Sequence, residues 1–207
     1  MVEFTVPTTG SDPIGIAAGP DGNLWFAEPA SNKLGRITGF GTVTEFAVPT
    51  AGSFPPRIAA GLDGNLWFTE YNGNKIGRAS TAGVITEFSI LTATSQPDSL
   101  TAGPDGNIWF AEYGANKIGR ITPTGSITEF PIPTAGCNPG GIAPGPDGNI
   151  WFTEYGANKI GRITPTGTII ELPLKTASSQ PRGIVAGPDG NIWFAEYGAN
   201  KIGRITP

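Results

Sequence analysis

Trp25, Trp67, Trp109, Trp151 and Trp193 are all the tryptophans of this 207-residue chain, and each follows the last by 42 residues. Glu3, Glu45, Glu87, Glu129 and Glu171 keep the same step, as do Pro13, Pro55, Pro97, Pro139 and Pro181. Five units follow one another without insertion. A repeat this strict constrains the fold more than any single residue does. Every unit must form the same supersecondary element and bury its apolar surface on a copy of itself.

Each unit divides into four short pieces. In the third, SLTAG (99–103), NIWFAEY (107–113), KIGRIT (117–122) and SITEFPI (126–132) are apolar or alternating, which predicts strands. The intervening GPDGN, GAN and PTG supply turn residues. With 31 Gly and 20 Pro spread along the chain, no helix of useful length fits. Four antiparallel strands per 42 residues predict an all-β, five-bladed β-propeller, with residues 1–207 as one domain. Past Pro207 the pattern asks for a strand reading ITEF, and Met1-Val2-Glu3-Phe4 stands at the other end. The expectation is that this N-terminal strand pairs into the last blade and closes the ring, removing free sheet edges.

A net charge of −4 and the absence of a basic patch argue against nucleic acid or a membrane surface as partner. Apolar runs are too short for a membrane span, and no signal peptide is seen. The chain reads as a soluble, complete monomer. Cys137 is the one cysteine, so no intrachain disulfide forms. No cofactor motif or metal loop is present. Each G-x-D-G-N turn carries a single Asp, which suits a hairpin better than calcium. Ser and Cys have no histidine partner, because the chain contains none. Glu28 and Lys33, with their equivalents, read as exposed cross-strand pairs.

Every unit carries the same three acidic and two basic residues, leaving five charges outside the pattern: Asp12, Arg57, Asp98, Lys175 and Arg182. Asp12, Arg57, Asp98 and Arg182 lie in the segment that crosses from one blade's outer strand to the next blade's inner strand, where the five copies also differ most. In a propeller these crossings open on one face beside the axis. The candidate ligand-binding residues are therefore Asp12, Arg57, Asp98, Asn138 and Arg182, with Tyr71, Tyr113, Tyr155 and Tyr197 from the adjoining loops. The ligand class is a small molecule, glycan or peptide. Relaxed drift of surface loops gives the same pattern.

GPDGNIWFTEYGANKIGRITPTG, together with ITEFPIPT, resembles the repeat of the virginiamycin B lyase (streptogramin lyase) family, a propeller group related to NHL-repeat proteins, and the resemblance covers essentially the whole chain. It implies seven blades and a magnesium-assisted elimination that linearises a cyclic streptogramin, with a histidine as general base. Here there are five units and no histidine. No side chain has an ordinary pKa near neutrality, so no catalytic residue is assigned. The residues favour a non-catalytic scaffold or binding module, amplified or engineered from such blades. The alternative is a streptogramin lyase-like, magnesium-dependent C–O lyase with an unconventional base.

Overall fold

A computed structural model describes all residues, Met1–Pro207. The first blade consists of β1 (Ile16–Ala18), β2 (Leu24–Glu28), β3 (Lys33–Ile37) and β4 (Val43–Ala47). The second consists of β5 (Ile58–Ala60), β6 (Leu66–Glu70), β7 (Lys75–Ala79) and β8 (Ile85–Ser89). The third contains β9 (Pro97–Ala102), β10 (Ile108–Glu112), β11 (Lys117–Ile121) and β12 (Ile127–Pro131). The fourth contains β13 (Pro139–Pro144), β14 (Ile150–Glu154), β15 (Lys159–Ile163) and β16 (Ile169–Pro173). The fifth has only β17 (Pro181–Ala186), β18 (Ile192–Glu196) and β19 (Lys201–Ile205). Each set is one antiparallel sheet in chain order, and the inner strands β1, β5, β9, β13 and β17 adjoin in sequence. These are the blades of a β-propeller.

Strand alternation builds the core between blades rather than within them. Along β10, Trp109 and Ala111 pack with Ile142, Ile150 and Phe152 of the fourth blade. Ile108 and Phe110 point the other way, onto Trp67 and Ile76 of the second. Trp109 is fully buried, and its indole Nε1 donates to the Asp105 carboxylate at 3.0 Å. Asp105 also accepts from the Asn107 side chain at 2.7 Å. Burial would raise its pKa, yet the bonds from Asn107 and Trp109 hold it below the usual value. In G-x-D-G-N the Asp is thus a tryptophan anchor. Above the ring, the Arg120 guanidinium lies 5.5 Å from Trp109 and 5.6 Å from Phe130, and it donates to the Pro165 carbonyl of the next blade at 2.8 Å. Opposite Phe110, only glycine fits at position 119, since a Cβ there would strike the ring.

A second tie recurs at each crossing. Thr50, entering the second blade, donates through N and Oγ1 to Glu87 at 2.8 Å each, and Lys75 Nζ reaches Thr50 Oγ1 at 2.6 Å and Glu87 at 2.7 Å. Lys33, Thr8 and Glu45 repeat this in the first blade. The expectation of exposed Glu28–Lys33 pairs is corrected here. The two residues do stand opposite each other in register, but Lys33, Lys75, Lys117 and Lys159 pair with the outer-strand Glu. Glu28, Glu70, Glu112 and Glu154 are fully buried. Glu70, Glu112 and Glu154 have both carboxyl oxygens buried without a hydrogen-bond partner. Burial first, and then the neighbouring Glu87, Glu129 and Glu171 respectively, push these three up to about 8.

The expected closure through the N-terminal strand is not present. Met1–Val6 belong to no strand and the fifth sheet has three. Those residues lie against the first blade instead: Thr8 is clamped on Glu45, and the Phe4 ring crowds Gly41. Ile16 of the first blade is 63% exposed, against 7% for its equivalent Ile58, and Ile202 of the fifth is 68% exposed, against 0% for Ile160. The first and last blades therefore do not cover each other. The physical reason is that the same tryptophan packing recurs from blade to blade, with an arginine tie across the first three junctions. Four such turns make an open arc.

Two outcomes are expected. Glu70, Glu112 and Glu154 bind protons in the folded state that they lack when unfolded between about pH 4.5 and 8, so stability is greatest near the lower end and is lost as pH rises toward 8. Melting temperatures measured from pH 5 to 8.5 should fall, and the triple Glu→Gln variant should flatten that slope; an equal slope in the variant would refute the assignment. Deleting residues 1–5 should cost less than about 1 kcal/mol in urea unfolding, whereas Trp67→Ala should cost about 3–5 kcal/mol. Loss of folding on truncation would show that the N-terminal segment closes the structure after all.

Candidate functional site

The loop face is built by asparagines. Asn74, at φ 55° after β6, turns its amide onto the next crossing: Oδ1 accepts from Ser95 N at 2.6 Å and Ser95 Oγ at 2.8 Å, and Nδ2 donates to the Thr92 carbonyl at 2.9 Å. Asn32 grips Ser53, and Asn158 grips Ser179, in the same way. Asn116 holds the backbone N of Cys137 at 2.7 Å. Cys137 is buried, and its thiol is pushed up to about 12 by that burial and by Glu154, so it is a packed residue rather than a reactive one. One residue after each Ser, or after Cys137, a left-handed residue (Asp12, Phe54, Gln96, Asn138, Gln180) turns the chain into the following Pro.

Behind that turn the innermost strand begins, and its first residues meet at the axis. A cavity of about 440 Å³ opens there, lined by Arg57, Tyr71, Asp98, Tyr113, Tyr155 and Arg182, with Gly140 and Gly141 forming its floor on the fourth blade's side. Six of the nine sequence-derived candidates thus come together. The remaining three do not line it. Asp12 sits exposed at the free end of the arc, because the first blade has no neighbour on that side. Asn138 spends its amide on the Tyr113 carbonyl at 3.3 Å. Tyr197 backs the site, since the Arg182 guanidinium stacks 4.8 Å from its ring and 4.9 Å from that of Tyr155.

Asp98 is the sole carboxylate of the cavity. Burial raises its pKa, and the charges of Arg57 and Arg182 act against that without cancelling it. Tyr71 is likewise raised, by burial and then by Asp98. Two residues escaped the reading of the sequence. They are Thr153 and its counterpart Thr69, each following Trp-Phe in its blade. Thr153 Oγ1 donates to the Arg182 carbonyl at 2.9 Å, and Thr69 Oγ1 to the Asp98 carbonyl at 3.3 Å. Where the other units have Ala, these two blades pin the charged residue of the next. The signal was available, in that Thr replaces Ala only in the blades preceding Asp98 and Arg182.

A magnesium ion does not fit these residues. It needs several hard oxygen ligands, whereas the cavity offers one carboxylate beside two guanidiniums, and nowhere do three His, Cys, Asp or Glu cluster as ligands.

Comparison with known proteins places this geometry. A streptogramin B lyase structure is 44% identical, with a TM-score of 0.93 over 98% of this chain and 67% of that one. Virginiamycin B lyase from Staphylococcus aureus is 47% identical, with a TM-score of 0.94 over 100% of this chain and 70% of that one. The same values hold for its catalytically inactive histidine-to-alanine variant with quinupristin. About a third of each relative therefore has no counterpart in this chain. These likenesses also overturn the expectation of a non-enzyme, which rested on the missing histidine: the similar structures are those of enzymes, at 44–47% identity over nearly all of this chain. The Virginiamycin B lyase family model matches residues 1–205, and the chain belongs to that family.

Proposed function

We propose that this chain is a C–O lyase acting on cyclic peptide esters of the streptogramin B type, bound on the loop face, with Asp98 as general base. The observation that carries this reading is the placement of one half-buried carboxylate among two cations and three tyrosines in the axial cavity. A volume of about 440 Å³ suits the ester end of such a ligand, while the rest of the ring lies across the crossings.

The chemistry follows from the donor set. Burial makes Asp98 more basic than an ordinary carboxylate, while the charges of Arg57 and Arg182 favour its ionised form. It takes the proton from the carbon α to a ring carbonyl. The C–H electron pair becomes a Cα=Cβ double bond, the Cβ–O bond breaks, and the ester oxygen leaves as a carboxylate. No water is consumed, so the linear product has the mass of the substrate. In the Staphylococcus aureus relative, a histidine variant is described as inactive. With no histidine in this chain, the base is a different residue.

The test is to incubate the protein with quinupristin and follow the products by liquid chromatography and mass spectrometry. A linear isomer of unchanged mass is expected, and Asp98→Asn should slow its formation by about 10²–10⁴-fold while quinupristin still binds. An absence of turnover by the unmodified protein, or full activity in the Asn variant, would overturn the proposal. A product one water heavier would mean hydrolysis instead.

A further inference from the structure

The base accounts for one charge of the cavity and leaves two. Arg36, Arg78 and Arg120 each donate to a carbonyl of the next blade, and Arg162 and Arg204 reach an Asp carboxylate. The side chains of Arg57 and Arg182 make neither an ion pair nor a hydrogen bond with the protein. Every repeated arginine is used by the scaffold, and the two additional ones are not.

Arg182 is also held in place. Its guanidinium lies over the rings of Tyr155 and Tyr197, 4.9 and 4.8 Å from their centroids, and its N–H groups remain available to bind. Its backbone carbonyl is fixed by Thr153. Gly141, on the cavity floor, lies so close to that carbonyl that any side chain there would strike it. Two guanidiniums against one Asp98 leave the cavity with a single net positive charge, in a chain whose net charge is −4.

We infer that Arg57 and Arg182 form a carboxylate subsite, which receives the carboxylate released on ring opening and binds linear peptides ending in one. The inference rests on the lyase reading for the source of that group, and on the cavity alone for its recognition. A planar monoanion matches both the guanidinium fork and the net charge. A phosphate dianion matches neither as well, because Asp98 repels its second charge. As the Cβ–O bond breaks, charge grows on the departing oxygens, and cations already in place favour that state over the neutral ester.

The experiment uses three probes: quinupristin opened to its free acid by saponification of the ring ester, the methyl ester of that acid, and inorganic phosphate. Dissociation constants are measured by calorimetry at pH 7 and low salt. The acid should bind at least about tenfold tighter than its methyl ester, with phosphate a weak competitor. Arg57→Ala and Arg182→Ala should each reduce that preference and together abolish it, and Asp12→Ala, outside the cavity, should leave it intact. Unchanged melting temperatures in both Arg variants would keep folding out of the comparison. Equal binding of acid and ester, a preference that survives in the double variant, phosphate binding as tightly as the acid, or no binding of any probe at millimolar concentration would overturn the inference. Turnover of quinupristin with no acid preference would sink the subsite and leave the lyase reading standing. Acid preference without turnover would do the reverse.

Discussion

Everything on the loop face depends on how one blade holds the crossing that leads into the next. The amide of Asn74 or Asn158 sits in a left-handed turn, where a short polar side chain is tolerated and its two ends can serve two backbone groups at once. It fixes the Ser that follows it by 21 residues, and so determines where the next inner strand begins. Charged residues can vary behind that anchor without disturbing the blades. Asp98 and Arg182 are such variations, and they reach the axis because their backbones were already positioned.

The scaffold and the site place charge differently. In the scaffold the inter-blade ions are matched: Lys75 with Glu87 and Thr50, Arg120 with a carbonyl and two rings. Pairs of this kind on a half-exposed surface add little stability individually. Their value here lies in geometry, since they join one blade to the next and recur along the chain. In the cavity the ions are left over. Arg57, Asp98 and Arg182 are neither paired within 4 Å nor hydrogen-bonded through their side chains, which leaves them free to engage a ligand. The buried carboxyls Glu70, Glu112 and Glu154 stand between these cases. Packed against a second carboxylate, they are held protonated, and they belong to the blade interior rather than to the axis.

The chain belongs to a lyase family yet contains no histidine, and the proposed function gives the role of base to a carboxylate. A carboxylate can take that role only if its surroundings raise its basicity while keeping it charged. At Asp98 burial raises the pKa while the charges of Arg57 and Arg182 favour the ionised form. On the proposed reading the same arginines face the group that the reaction expels, so a single constellation serves both ends of the broken bond.

The repeat alone determined the blade: four strands, the turns between them, the tryptophan between blades, and the crossings as the place where the copies differ. Local propensity and periodicity carry that information, because each unit is short and its neighbours are copies of itself. The same pattern picked out Arg57, Asp98 and Arg182 as charges the scaffold does not need. It could not show that Glu28 and its equivalents are buried, because two residues opposite each other across a hairpin need not choose each other as partners. Nor could it show how Met1–Val6 lie. That segment reads as a strand, but a strand forms only where an edge is within reach, and reach is set by the angle accumulated over four blade junctions. Only the tertiary structure fixes that angle, and it alone brought residues from four different blades around one cavity.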